Sequence, residues 1–201
     1  MVTTRLAVPA DAPALAEMHM ETLPGDVSDF TPLGARTVRR FYANAIARGS
    51  ATVCVAAAAD GTLLGFVMIT RDISALFPRS LLAGPGDIAR FVFGANPFGL
   101  VRALVAKLTS GTATVAAVPE LVYLGVSVKA RGQGVGAALM DAAHAEFRRQ
   151  GIPRYELNVH EGNVSAVKLY FAKGLSVARR YEKGGHTMYN MTKDLEPAPP
   201  G

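Results

Sequence analysis

The sequence predicts an α/β protein, because segments with strand-like and helix-like hydrophobic patterns alternate along most of the chain. Polar and apolar residues alternate over residues 4–8, which is typical of a short strand. Residues 52–56 and 63–69 are apolar and flank Asp60-Gly61, a strong signal for a two-residue β-hairpin. Strand and helix patterns alternate again in the last third of the chain.

Length and composition indicate one globular domain. The chain has 201 residues, of which 50% are hydrophobic and 18% charged, enough apolar surface for a core and too much for a disordered chain. We expect one domain over residues 1–196, with a frayed tail at 197–201. The start of the chain lacks the basic and apolar run of a secretory signal, so we expect a cytoplasmic protein.

Several classes of function are disfavoured by composition. The net charge is +5, from 21 Lys and Arg against 16 Asp and Glu. This excess is mild, and without a basic stripe it argues against nucleic-acid binding. Cys54 is the only cysteine, which excludes an intramolecular disulfide and a cysteine-rich zinc site. We therefore expect no metal. No stretch is long and uncharged enough for an integral membrane protein.

Two helices are expected before the hairpin. Asp11 offers an N-cap and Pro13 lies in the first turn. The apolar face of this first helix continues through residues 15–23, and a second amphipathic helix covers residues 38–46 and ends at Gly49. Residues 73–118 contain several prolines and glycines and interrupt the alternation of strand and helix patterns. Helical patterns occur within them at 88–93 and 100–108.

The C-terminal third alternates regularly. A glycine-rich turn follows the first strand, Gly151 ends the first helix and Gly174 closes the second. The predicted strands are 121–128, 155–159, 175–181 and 187–195, and the predicted helices are 135–149 and 163–173.

The turn between strand 121–128 and the following helix is suited to binding phosphate. Gly132, Gly134 and Gly136 allow backbone N–H groups to approach a ligand, and the helix adds unpaired donors and the positive end of its dipole. Each charge-assisted hydrogen bond contributes about 1.5–3 kcal/mol. A Walker loop is excluded because Ala137-Ala138 stand where it needs Lys and Ser or Thr.

A dinucleotide site fits poorly. The acidic residue that it requires belongs at a strand end, whereas Glu156 lies within a predicted strand, and little chain remains to complete such a fold. A tight turn that binds no ligand is the remaining alternative.

Two motifs in this region resemble those of the GCN5-related (GNAT) N-acetyltransferases. The first is the acetyl-CoA motif, Arg131-x-x-Gly134-x-Gly136. The second matches the next strand and helix of the family, Leu157-x-Val159-x-x-x-Asn163-x-x-Ala166-x-x-x-Tyr170-x-x-x-Gly174. The resemblance implies a GNAT-like fold: a mixed, mostly antiparallel twisted central sheet, helices on both faces, and a helical insertion at about 73–118 before the cofactor-binding strand.

The resemblance also implies where acetyl-CoA, the cosubstrate, binds. The pyrophosphate would lie on Arg131, Gly132, Gln133, Gly134, Val135, Gly136 and Ala137. The pantetheine arm would pair with the edge of the preceding strand at Leu124, Gly125 and Val126, and a backbone N–H near Val126 would polarise the thioester carbonyl. Gly125 would mark the bulge that separates this strand from the next, or else serve as a packing glycine.

Two residues of the following helix carry expected roles. Asn163 is placed as an N-cap, and the resemblance adds a contact with the pantetheine arm. Tyr170 lies two helical turns later on the same face. The resemblance implies that Tyr170 acts as general acid for the departing CoA thiolate. The alternative is a purely structural role in the core.

The implied activity is acetyl transfer from acetyl-CoA to a primary amine of a small molecule by direct attack. A protein N-terminal or lysine acetyltransferase and a non-catalytic acyl-CoA-binding domain are the alternatives. Some family members that acetylate proteins carry Glu where Asn158 stands, and Asn cannot act as a base. The base is therefore left open among His160, Glu161, Glu120 and a water molecule.

The role of the insertion is also open. Its apolar, aromatic and cationic residues fit a lid over the acceptor, a helix in peripheral contact with a membrane surface, or helices packed on the sheet or at a homodimer contact. The acceptor and the oligomeric state cannot be read from the sequence.

Overall fold

A single mixed β-sheet forms the centre of the protein in the computed structural model, which describes residues 2–23, 28, 31–81 and 117–196. Within these residues seven strands follow the order β1-β2-β3-β4-β5-β7-β6. Neighbours are antiparallel except β4 and β5, which are parallel, so the mostly antiparallel sheet expected from the resemblance is confirmed. The strands are β1 (Thr3–Leu6), β2 (Thr52–Ala57), β3 (Leu63–Thr70), β4 (Glu120–Val126), β5 (Arg154–His160), β6 (Ser176–Lys183) and β7 (His186–Asp194).

Helices cover both faces of the sheet, as expected. In the described part of the chain they are α1 (Ala12–Thr22), α2 (Ala35–Ala47), α3 (Ile73–Leu81), α4 (Val135–Arg149) and α5 (Val164–Ala172). We call the side of the sheet that carries α1 to α3 the α1 face, and the side that carries α4 and α5 the α4 face. None of the helices in the described residues is long and apolar enough to cross a membrane.

Each face has its own hydrophobic core. On the α1 face, Phe41 and Tyr42 of α2 pack without solvent exposure against Phe66 and Met68 of β3. On the α4 face, Leu139 and Phe147 of α4 are fully buried against alternate residues of β3, β4 and β5. Because successive strand residues point to opposite sides, the two cores share the same strands.

The start of the predicted insertion is part of the core. We expected residues 73–118 to stand outside the core elements, but α3 occupies 73–81 and Leu76 is fully buried in the cluster on the α1 face. Leu76 on an amphipathic helix provides the apolar side chain that such packing requires. The helical patches expected at 88–93 and 100–108, the proposed lid and the tail 197–201 lie outside the described residues.

A β-bulge in β4 changes the side on which its residues lie. Tyr123 pairs with Met68 and Leu121 pairs with Ile69, so Val122 is the extra residue. Val122 and Tyr123 both pack with the α1-face core, whereas Leu121 and Leu124 pack with the α4-face core. Counting back from Leu121, the side chain of Glu120 lies on the α1 face.

Candidate functional site

The strands β4 and β5 separate after a single pair of residues. Glu120 pairs with Glu156, and the N–H of Glu156 donates to the carbonyl oxygen of Pro119 across 3.0 Å. No further residue of β4 pairs with β5 among the described residues. We call the gap between the remaining residues of β4 and those of β5 the β4–β5 cleft. It interrupts the sheet and connects its two faces.

No strand of the described residues pairs with the cleft edge of β4 beyond Glu120. On the other side of β4, the N–H of Ser127 donates to the carbonyl of Leu64 across 2.9 Å. Backbone groups alternate in direction along an antiparallel strand, so those of Val126 and Leu124 point into the cleft. The side chain of Arg131 confirms this for Val126, because its Nε lies 3.4 Å from the Val126 oxygen on that side. An extended ligand with amide groups can pair there as an additional strand.

Gly125 does not form the bulge that we expected there. Its pairing with Phe66 is regular, and the bulge lies three residues earlier at Val122. A Cβ atom at position 125 would come within 2.4 Å of Thr22 Oγ1 and 2.7 Å of the Phe66 ring. Gly125 is therefore a packing glycine, the alternative reading of the sequence, which lets α1 approach the sheet closely.

The glycine turn at the open end of the cleft presents free N–H groups. Gly132 and Gly134 have φ angles of 75° and 79°, in the left-handed region that favours glycine. The first helical bond of α4 runs from the N–H of Ala138 to Gly134, and no side chain caps the helix. The N–H groups of residues 135–137 thus have no partner among the described residues. Together with the helix dipole, they form a site suited to an anion.

Neighbouring elements hold this turn in place. The carboxylate of Glu21, on α1, accepts from the N–H of Val128 at 3.1 Å and the hydroxyl of Ser127 at 3.2 Å. The amide of Gln133 donates to the carbonyl of Lys129 across 2.8 Å. Gly136 has a packing role, since a Cβ there would lie 3.2 Å from Leu169 of α5. The start of α4 is therefore fixed against both α5 and β4.

Asn163 is the N-cap of α5, and Tyr170 lies within this helix and packs in the core of the α4 face. The predicted N-cap is present, because Asn163 Oδ1 accepts from the N–H of Ala166 across 3.2 Å. Tyr170 is 7% exposed and burial raises its pKa to about 12, so its phenol is protonated at neutral pH. Burial is the only cause of this shift, and the hydroxyl forms no hydrogen bond with another described residue.

Glu120 is the candidate residue whose surroundings the sequence did not reveal. Its half-buried carboxylate lies at the closed end of the cleft on the α1 face. Burial raises the pKa of Glu120 to about 7, and a hydrogen bond from the Asn158 amide at 3.3 Å opposes this rise. A carboxyl group with this pKa can accept and release a proton at neutral pH. Glu120 is one of the candidate bases, and the parallel pairing of Glu120 with Glu156 brings it within hydrogen-bond distance of Asn158, two residues further along β5.

The other side chains considered as bases have different surroundings. Glu161 accepts from Arg180 at 3.0 Å and from the Tyr189 hydroxyl, and these hydrogen bonds lower the pKa of Glu161. His160 packs edge-on against His186, with ring centroids 4.9 Å apart. A carboxylate held by an ion pair is a weak base, so Glu120 is the stronger candidate of the two carboxylates. No group of three or more His, Cys, Asp or Glu residues suited to a metal occurs in the described residues.

Comparison with known proteins agrees with this geometry. A sequence model of the acetyltransferase (GNAT) family matches residues 13–175. Mycothiol acetyltransferase of Geodermatophilus obscurus is 42% identical over 60 residues, which are 30% of this chain and 20% of that protein. The match thus spans about a fifth of the length of this relative.

Solved structures of similar fold cover nearly the whole chain. A GNAT-family acetyltransferase of Streptococcus pneumoniae superposes with a TM-score of 0.64 at 19% identity, covering 98% of this chain and 100% of the other. The PaiA N-acetyltransferase of Thermoplasma acidophilum, solved in complex with coenzyme A, has a TM-score of 0.62 at 14% identity, with coverages of 97% and 99%.

Proposed function

The chain belongs to the acetyltransferase (GNAT) family, and on this premise we propose that it is an acetyl-CoA-dependent N-acetyltransferase acting on a primary amine of a small molecule. The observation that carries this proposal is the β4–β5 cleft, which has free backbone donors at its open end and a carboxyl of pKa about 7 at its closed end.

The residues present fit acetyl-CoA. Its diphosphate matches the turn from Arg131 to Ala137, where the N–H groups of α4 lack a cap. The two amides of its pantetheine arm match the open edge of β4 at Leu124 and Val126. Asn163 stands at the start of α5 and can contact the same arm through its amide nitrogen, since its oxygen serves as the cap.

Acetyl-CoA supplies an acetyl group activated as a thioester, and the protein's residues act on the amine, the carbonyl oxygen and the sulfur. Glu120 accepts a proton from the acceptor amine, whose pKa near ~10 keeps it protonated at neutral pH. As the new C–N bond forms, a backbone N–H on the cleft edge of β4 donates to the carbonyl oxygen, where negative charge develops.

Tyr170 acts on the leaving thiolate as the C–S bond breaks. Its pKa of about 12 exceeds that of a thiol near ~8.5. The phenol therefore stabilises the sulfur mainly by donating a hydrogen bond. Glu120 lies on the α1 face and Tyr170 on the α4 face, so the two groups act on the reacting atoms from opposite sides of the cleft.

Thiol release from acetyl-CoA, measured with a panel of primary amines, tests this function. The panel includes amino sugars, polyamines, amino acids, and peptides with a free N-terminus or lysine. We expect release with at least one small amine, reduced about 10²–10⁴-fold in Glu120→Gln. Release with peptides alone would indicate a protein acetyltransferase. Binding of acetyl-CoA by calorimetry without thiol release would instead indicate a non-catalytic binding domain.

A further inference from the structure

A chain of hydrogen bonds links Glu120 to three strands beyond the cleft. Asn158 of β5 donates from Nδ2 to Glu120 Oε1 across 3.3 Å. Its Oδ1 accepts from the hydroxyl of Tyr181 on β6 at 2.9 Å and from Nδ2 of Asn190 on β7 at 3.2 Å. Asn158 and Asn190 are directly paired in the sheet, so the backbone holds these two amides side by side.

With the Asn190 amide in its present orientation, one orientation of the Asn158 amide satisfies all of its neighbours. The Asn190 amide nitrogen can only donate, and the Glu120 carboxylate can only accept. Rotating the Asn158 amide by half a turn would bring two NH₂ groups together and would set an oxygen against the carboxylate. Tyr181 and Asn190 therefore direct the NH₂ group of Asn158 towards Glu120.

Such a donor has a specific value beside this carboxylate. Burial disfavours the charged form of Glu120, and the nearby negative charge of Glu156 does so as well. Lys183 of β6 and the Asn158 amide favour the charged form. Tyr181 is also close enough for its own pKa to be raised by Glu120. Asn158 supplies a hydrogen bond and carries no charge, whereas an aspartate at this position would add another negative charge.

We propose that Asn158 is a positioning residue, whose amide, oriented by Tyr181 and Asn190, holds the Glu120 carboxylate towards the acceptor amine. This inference rests on the proposed function, because it assigns to Glu120 the role of base. The inference requires that the side chains of Glu120, Asn158, Tyr181 and Asn190 act as one hydrogen-bonded unit.

Titration of the Glu120 carboxyl carbon by ¹³C NMR tests this unit without any substrate. In Asn158→Leu, which keeps the size of the side chain and removes the donor, we expect the pKa of Glu120 to rise by about one unit. Asn158→Asp, which keeps the shape, should raise it further because the new carboxylate repels Glu120. Thr192→Val is the matched control: Thr192 lies two residues from Asn190 on β7 and bonds to Arg154, so we expect no shift.

A coupled pair of variants tests whether Tyr181 acts through Asn158. Tyr181→Phe should raise the pKa of Glu120 in the wild-type background and leave it unchanged in Asn158→Leu. An equal effect in both backgrounds, or an unchanged pKa in Asn158→Leu, would overturn the inference.

The kinetic consequence is that the acid limb of the pH profile of kcat/KM shifts to higher pH. At pH 7, Asn158→Leu should be about fivefold slower than the wild type with any amine that is turned over, and should approach it at pH 9. A loss of equal size at both pH values would show a structural role and overturn the inference. A pKa shift by NMR in a protein that releases no thiol would count against the proposed function alone.

Discussion

Gly125 on β4 lies directly against Thr22 at the end of α1: a methyl group at position 125 would come within 2.4 Å of the Thr22 hydroxyl oxygen. That hydroxyl donates to the carbonyl of Met18 across 2.7 Å and has little freedom to move. The contact sets how closely α1 packs on the strand that borders the cleft. The same helix carries Glu21, which binds the end of β4, so close packing of α1 supports the site.

Gly125→Ala is expected to destabilise the protein by about 1–3 kcal/mol, because the added methyl group overpacks the contact with Thr22 and Phe66. Chemical denaturation measures this loss. Adding Thr22→Ala should recover part of it, since the nearest clashing atom is removed. Full stability in Gly125→Ala alone would contradict the packing role.

Glu120→Gln should make the protein more stable at pH 8 while removing activity. Burial raises the pKa of Glu120 from 4.5 to about 7, so the cost of its charge is absent below pH 4.5, grows between these values and is complete above pH 7. Allowing for partial solvent screening, we expect Gln to gain about 1–2 kcal/mol at pH 8. Denaturation at pH 8 and pH 4 measures the difference, which should vanish at pH 4. Equal stability of Glu120→Gln and the wild type at pH 8 would mean that burial of the charged Glu120 carboxylate costs no stability.

Tyr170→Phe is expected to lower kcat by about 10²-fold and to leave stability within about 0.5 kcal/mol of the wild type. The hydroxyl of Tyr170 forms no hydrogen bond with another described residue, so we expect its loss to affect the leaving sulfur more than the fold. Tyr155→Phe is the matched control, because its hydroxyl bonds to His144 at 2.7 Å inside the core. That variant should lose about 1 kcal/mol of stability and retain kcat. An undiminished kcat in Tyr170→Phe would exclude the tyrosine from the reaction.

Gly134→Ala and Gly151→Ala separate backbone strain from ligand binding. Both glycines flank α4 with positive φ, 79° and 68°, and both have open space where a Cβ would stand. Each substitution should cost about 1–2 kcal/mol of stability. Only Gly134→Ala should also weaken binding of CoA, by about tenfold in calorimetry, because only this methyl group would enter the anion site. Equal affinities in the two variants would place the diphosphate elsewhere.

The two roles of Asn163 can be distinguished by comparing Ala with Asp at this position. Asn163→Ala should cost about 1 kcal/mol through loss of the N-cap to Ala166. Asn163→Asp keeps the capping oxygen and removes the amide nitrogen, so we expect stability to be retained and KM for acetyl-CoA to rise. An unchanged KM in Asn163→Asp would leave Asn163 as a cap only.

Local features of the chain were accessible to sequence reasoning. The hairpin near Asp60-Gly61, the stop of α4 at Gly151 and the cap at Asn163 all depend on dihedral preferences and hydrogen bonds within a few residues. The hairpin loop has three residues, 59–61, and not the two expected, because Ala58 donates to the carbonyl oxygen of Thr62 and Gly61 adopts a positive φ of 85°. The pattern Arg131-x-x-Gly134-x-Gly136 belongs to this group, because a strand, a turn and the start of a helix follow one another directly. These signals carried the family resemblance from which the fold class was predicted, and the proposed anion site rests on the same turn.

Relationships across the sheet were decided by the tertiary structure. Glu120 and Asn158 are 38 positions apart, and they meet because β4 and β5 pair in parallel at a single position. The bulge at Val122, and not Gly125, sets the side of the sheet on which Glu120 lies. Parallel pairing, strand order and register depend on how whole elements pack, and no short stretch of sequence contains that information. By itself the sequence therefore indicated where an anion could bind, whereas the fold decided which carboxyl group lies at the closed end of the cleft.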